Sequence, residues 1–141
     1  MSLTEISFVI ASNHPGELAQ FYSLAIQKDV VNGFDSSHCL INIRKGLSIQ
    51  FYKPSLNRPW PDRGKATSIC FHKEADINPC LKIKEWCSSL VELGGEVIDS
   101  PKIEAFGAEA WIADPEGNEF LIFVPGLSNM NNPFSNKRYL D

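Results

Sequence analysis

The sequence predicts an α+β fold of two βαβββ units whose curved mixed sheets surround a cleft. Three observations predict it. The order strand, helix, three strands occurs twice along the 141 residues. Residues correspond between the copies, Ser7 with Ser68 and Gly33 with Gly94 at an offset of 61, and Gly46 with Gly117 at 71, where the second copy has a longer loop. Each copy also joins one amphipathic helix to strands of alternating polarity, so a sheet buries one face under its helix and offers the other. Two copies of so long a period exclude a solenoid. A single domain is expected over 1–141, with units 4–52 and 67–124, a connector at 53–66 and an irregular tail at 125–141.

In the first unit, Ile6 to Ala11 is apolar and β-rich and stops at Asn13-His14-Pro15. Pro at a first helical position starts a helix there, and Glu17, three residues after His14, suggests a capping box. Leu18, Phe21, Tyr22 and Ala25 share one face of a helix running to about Gln27. Strands follow at Val30 to Asp35, His38 to Ile43 and Leu47 to Tyr52. A three-residue loop, Arg44-Lys45-Gly46, keeps the apolar residues of the last two strands together: Cys39, Ile41 and Ile43 with Leu47, Ile49 and Phe51. The opposite face then carries His38, Leu40, Asn42, Ser48, Gln50 and Tyr52. In the first strand Phe8 and Ile10 go to the core, and Ser7, Val9 and Ala11 to the other side.

In the second unit, Thr67 to His72 is a strand with Ile69 and Phe71 toward the core and Ser68, Cys70 and His72 facing away. Asn78-Pro79 opens a helix with Ile83, Trp86, Cys87 and Leu90 on one face, and Gly94-Gly95 ends it. Glu96 to Asp99, Ala108 to Ala113 and Asn118 to Val124 complete the unit. Asp114-Pro115-Glu116-Gly117-Asn118 predicts a hairpin with Gly117 left-handed and Asp114 paired with Asn118. Ile112, Phe120, Ile122 and Val124 form its core face; Trp111, Glu119, Leu121 and Phe123 form the other.

Composition narrows the function. Thirteen Lys and Arg against 17 Asp and Glu give a net charge of −4 with no basic run, which speaks against nucleic acid as partner. No apolar stretch approaches a membrane span, and the first residues form no targeting signal, so a cytoplasmic location is expected. Cys39, Cys70, Cys80 and Cys87 lack disulfide or zinc spacing and are expected to be reduced thiols.

The mixed faces hold the candidate chemistry. Gln50 points inward beside Tyr52 and needs hydrogen-bond partners. Trp111, Leu121 and Phe123 form an aromatic wall of the kind that closes on a ligand, a sheet or a subunit. Ser68, Cys70 and His72 lie in one row at about 7 Å spacing, too far apart for a nucleophile and its base. Glu119 is a candidate base at a hairpin mouth. Trp60, between two prolines, is a candidate rim or subunit contact.

Leu18 to Tyr22, Leu90 to Gly95, and above all Asp114 to Phe120, set in the duplicated βαβββ order over residues ~4–124, resemble the vicinal oxygen chelate superfamily. With Arg58 to Asp62 added, the chain is most similar to its glyoxalase-like branch. That superfamily includes glyoxalase I, extradiol dioxygenases and bleomycin resistance proteins. Its metal-using members place His, Gln or Glu on the first and fourth strands of each unit, positions that fall on Ser7, Gln50, Ser68 and Leu121. The duplication offsets pair the same four residues. His14, His38 and His72 coincide with none of them, so the residues needed by the usual metal chemistry are missing.

The expected function is therefore a metal-free, cofactor-free small-molecule binder of the bleomycin resistance kind. The ligand would contact Ser7, Gln50, Tyr52, Ser68, Trp111, Glu119, Leu121 and Phe123, with no catalytic residue assigned. The resemblance implies a homodimer. Two alternatives stand beside it: a lyase, isomerase or dioxygenase with a rearranged metal site using His72, Glu119 or His38, and an interaction protein whose cleft is filled by its own side chains.

Overall fold

A computed structural model describes residues 5–61, 68–104 and 107–127. The chain forms two compact units that part between Gly64 and Lys65. Among the described residues, two helices and two mixed sheets, of four and five strands, make an α+β fold.

The first unit runs β1 (Ile6–Ala11), α1 (Pro15–Ile26), β2 (Val30–Asn32), β3 (His38–Arg44) and β4 (Leu47–Tyr52). Its sheet has the order β1-β4-β3-β2, with β1 parallel to β4 and the other pairs antiparallel. Pro15 occupies the first turn of α1, and Leu18, Ala19, Phe21 and Tyr22 are buried. Tyr22 packs on Phe51 with ring centroids 5.6 Å apart. Gln27 ends the helix in the left-handed region at φ 57°. The expected capping box is not formed: the His14 side chain makes no cap bond, and the His14 N–H instead donates to Ser12 Oγ at 2.9 Å. Ser12 is fully buried, and this bond satisfies its hydroxyl oxygen.

The β3–β4 register is the expected one, from His38 opposite Tyr52 to Asn42 opposite Ser48. Only the tip differs. Arg44 rather than Ile43 faces Leu47, across an irregularity between Asn42 and Arg44. Gly46 at φ 82° makes that reversal without the Cβ clash other residues meet. A second difference concerns Phe8, which shares a face with buried Ile49 and Phe51 yet is 36% exposed. Helix α1 packs on β3 and β4, so the edge strand β1 extends past its cover. The second strand, β2, is also shorter than expected, ending at Asn32 rather than Asp35.

The second unit runs β5 (Cys70–His72), α2 (Pro79–Glu92), β6 (Glu96–Val97), β7 (Lys102–Glu104), β8 (Gly107–Ala113) and β9 (Glu119–Pro125). Its order is β5-β9-β8-β6, with β7 also on β8, and β5 parallel to β9. Asn78 caps α2 by accepting from the Leu81 N–H at 3.2 Å. Ile83, Trp86, Cys87 and Leu90 are buried on the expected helix face, and Lys73 Nζ lies 4.8 Å from the centre of the Trp86 ring. The Gly95 N–H closes the helix on Leu90 O at 2.8 Å. Strand β7 was not anticipated, because three residues around an Ile103 that is 68% exposed carry no alternating apolar signal. Residue 67 and the tail beyond 127 lie outside the described residues, and β9 continues one residue further than expected, to Pro125.

The β8–β9 hairpin matches expectation closely. Asp114 N–H donates to Asn118 O at 2.8 Å, Gly117 N–H to Asp114 O at 2.9 Å, and Gly117 has φ 86°. The buried Asp114 carboxylate accepts from Glu116 N–H at 2.8 Å, Asn118 N–H at 3.0 Å and Asn118 Nδ2 at 2.8 Å. Ile112, Phe120, Ile122 and Val124 are all at most 2% exposed.

Candidate functional site

On the first unit, strands β1, β4 and β3 set their non-core residues in three rows. Ser7 lies beside Ser48 and then Asn42; Val9 beside Gln50 and then Leu40; Ala11 beside Tyr52 and then His38. Diagonal neighbours in such a lattice lie about 7–8 Å apart, within reach only of long side chains. Gln50, at the centre, reaches along both arms of one diagonal. Its Oε1 lies 2.9 Å from His38 Nε2, and its Nε2 donates to Ser7 Oγ at 2.9 Å. The Ser7 and Ser48 hydroxyls share a further bond of 2.9 Å. The result is a continuous polar chain across three strands: His38, Gln50, Ser7, Ser48.

The loop before β3 fixes its direction. His38 Nδ1 accepts from the Phe34 N–H at 3.2 Å, which places the ring proton on Nε2 and makes Nε2 the donor to Gln50 Oε1. The Gln50 amide is thereby oriented, oxygen to His38 and nitrogen to Ser7. Phe34 stacks on the imidazole at 5.1 Å, and a Cβ on Gly33 would stand 1.8 Å from His38 Nδ1. Gly33 therefore admits the ring where no other residue can.

The second unit shows a different mixed face. Cys70, Leu121 and Trp111 form one cross-strand row, and His72, Phe123 and Glu109 the next. Trp111 and Leu121 are half-buried, while Phe123 is buried and meets the His72 ring edge-on at 5.2 Å. Ser68 and Glu119 are exposed. Cys70 opens to solvent, yet desolvation by the surrounding protein, with the Glu109 carboxylate adding to it, pushes its thiol up to about 11. Desolvation holds His72 below the ordinary imidazole value. A thiol so hard to ionise is a poor nucleophile.

Of the eight expected ligand contacts, Ser7, Gln50 and Tyr52 share the face of the first unit, and Trp111, Glu119, Leu121 and Phe123 share the non-core face of the second, while Ser68 precedes β5 and is exposed outside its ladder. Gln50 was expected to find a ligand or an internal partner, and it has two internal ones. The role of His38 in orienting that amide, and of Gly33 and Phe34 in holding His38, was missed. The available signal was the diagonal from His38 to Gln50, legible once the register is known. A shallow depression of about 390 Å3 at the start of α1, lined by His14, Glu17, Ser37 and Lys53, involves none of the eight.

The four positions where metal-using relatives hold their cation do not suit one here. Ser7 and Gln50 are hydrogen-bonded to each other, Ser68 offers one hydroxyl, and Leu121 offers no donor atom. Among the described residues, no three His, Cys, Asp or Glu side chains converge as a cation site.

No protein-family profile matches the sequence, and no curated protein does. Solved structures do match. A glyoxalase/bleomycin resistance protein/dioxygenase family enzyme from Burkholderia phytofirmans superposes with TM-score 0.71 at 15% identity, covering 89% of this chain and 99% of its own. A glyoxalase-related enzyme from Fulvimarina pelagi gives 0.65 at 15% identity, covering 87% of each chain. Lactoylglutathione lyase from Agrobacterium tumefaciens gives 0.58 at 16% identity, covering 89% of this chain and 96% of its own. Duplicated βαβββ order, strand register and these superpositions agree: the chain has the vicinal oxygen chelate fold.

Proposed function

We propose that this protein binds a small molecule without a metal ion, on the sheet faces turned away from its helices. The observation that carries the reading is the pair Trp111 and Leu121. They are direct partners across β8 and β9, on the face opposite the buried Ile112 and Ile122, and both are half-buried. Large apolar side chains gathered on a face opposite the core mark a surface for an apolar ligand. Ser68, Glu119 and Phe123 belong to this reading on the second unit, and Ser7, Gln50 and Tyr52 to the polar face of the first, each face taken by itself. A glyoxalase/bleomycin resistance protein from Albidiferax ferrireducens, among the structural neighbours, offers a functional parallel. The donor set at the four fold-specific positions supports a metal-independent mode.

The same reading takes the protein to be a cytoplasmic homodimer. No described helix is long and apolar enough to cross a membrane. Phe34, Leu56 and Trp60 are 94%, 102% and 53% exposed, which supplies apolar surface for a second copy.

Elemental analysis of the purified protein, followed by a thermal-shift screen of aromatic and apolar compounds in chelator, tests the proposal. The expected result is no stoichiometric metal and at least one compound whose stabilisation is lost in Trp111→Ala. Stoichiometric zinc, iron, nickel or manganese would favour a lyase, isomerase or dioxygenase instead. A screen with no hits would favour an interaction protein.

A further inference from the structure

We infer that Gln50 is a recognition point for a neutral ligand group that both donates and accepts a hydrogen bond, such as a carboxamide or lactam. The inference rests on the small-molecule reading above and names the chemistry that the first unit's face selects. An amide has two N–H donors and two oxygen lone pairs. Gln50 spends one of each, its oxygen on His38 and its nitrogen on Ser7. One N–H and one lone pair remain on a half-buried side chain. Their complement is a group carrying one acceptor and one donor.

The direction of that recognition is fixed before any ligand arrives. The Phe34 N–H holds the His38 ring in the Nε2–H form, and this form holds the amide oxygen of Gln50 toward His38. A group locked in place binds without first losing rotamer freedom, which favours its bound state. Val9 and Leu40 flank Gln50 on either side along its row, giving the ligand apolar contact next to its polar group. None of the nine side chains in the three rows is a carboxylate, ammonium or guanidinium. The Arg58 guanidinium lies over the Tyr52 ring at 4.4 Å and is the group an anionic ligand would use instead.

Benzamide, benzoate and benzylamine carry the same ring with neutral, negative and positive heads, and titration of each into 15N-labelled full-length protein separates these possibilities. Benzamide is expected to shift the side-chain NH2 resonances of Gln50 saturably, and to bind at least about tenfold more weakly to Gln50→Leu, which loses both hydrogen bonds. Gln50→Glu keeps the length of the side chain and removes its N–H groups, so it loses benzamide affinity while the backbone spectrum is preserved. Benzoate binding as tightly as benzamide, or benzamide binding unchanged by both substitutions, would overturn the inference and leave small-molecule binding intact. If none of the three shifts any resonance on either sheet face, the inference and the reading beneath it both fall.

Discussion

His38 Nε2 and Gln50 Oε1 lie 2.9 Å apart, joining β3 to β4 along the diagonal of a mixed sheet face. Because His38 Nδ1 is taken by a backbone N–H, the proton in this bond belongs to the imidazole. The pair sets the orientation of every hydrogen bond that follows toward Ser7.

Coupling between the two residues is the first consequence. His38→Phe and Gln50→Leu should each cost about 1 kcal/mol by leaving the other's polar group short of a partner. The double variant should cost about 1 kcal/mol less than the two together. Urea denaturation of the four proteins gives the comparison, and strict additivity would show the bond to be energetically idle.

Gly33→Ala places a methyl group into the imidazole, since the built Cβ stands 1.8 Å from His38 Nδ1. The ring must leave the Phe34 N–H, at a cost of about 1–3 kcal/mol typical of overpacking. The Gln50 side-chain amide resonances should then move although residue 33 does not touch Gln50. An unchanged amide signal would contradict the proposed orientation by His38.

Cys70 is exposed yet its thiol is pushed up to about 11. At pH 7.5 it should react with iodoacetamide at least about tenfold more slowly than a free thiol of pKa near 8.5. Peptide-level mass spectrometry reads the rate. A fast reaction would mean the thiolate is stabilised after all.

His72 gives a pH dependence with a definite sign. Desolvation lowers its pKa from the ordinary 6.5, so between the folded and unfolded values the unfolded chain binds more protons. Its contribution to stability is fully present above pH 6.5 and is lost as pH falls through the folded value. The side chain is exposed, and solvent screening keeps the slope shallow. In thermal melts from pH 8 to 5 the wild type should lose stability relative to His72→Phe as the pH falls, because only the wild type must charge a desolvated imidazole. A wild-type stability that rises on acidification relative to the variant would reverse the assignment.

The Asp114 carboxylate accepts three hydrogen bonds within its own turn while 4% exposed. Asp114→Ala should destabilise the protein by about 2 kcal/mol, because bonds to an ionised group are among the stronger ones. Chemical denaturation measures it, and a loss below about 0.5 kcal/mol would show that the backbone bonds of the turn suffice.

This hairpin also shows which parts of the fold were legible in the sequence. Asp114 to Asn118 encodes its own turn, and alternation on both sides then sorts Ile112 and Phe120 from Trp111 and Leu121. Strand β7 carries no such local signal, being a short strand placed by its pairing with β8. Phe8 was placed on the correct face, but how far α1 reaches over that face depends on packing rather than pattern. Gln50 announced that it needs partners without naming them. Its bonds join residues 43 and 12 positions away, and such distances become contacts only when the register is set.

The central claim is that the sheet faces opposite the helices bind a small molecule without a metal ion. Its most direct test is a 1H–15N spectrum of the full chain in chelator against a library of aromatic amides. Saturable shifts are expected at Trp111 and Leu121 on the second unit's face, and at the Gln50 side-chain amide on the first unit's face. Ligand shifts that appear only after a divalent cation is added, or that fall entirely elsewhere, would contradict it.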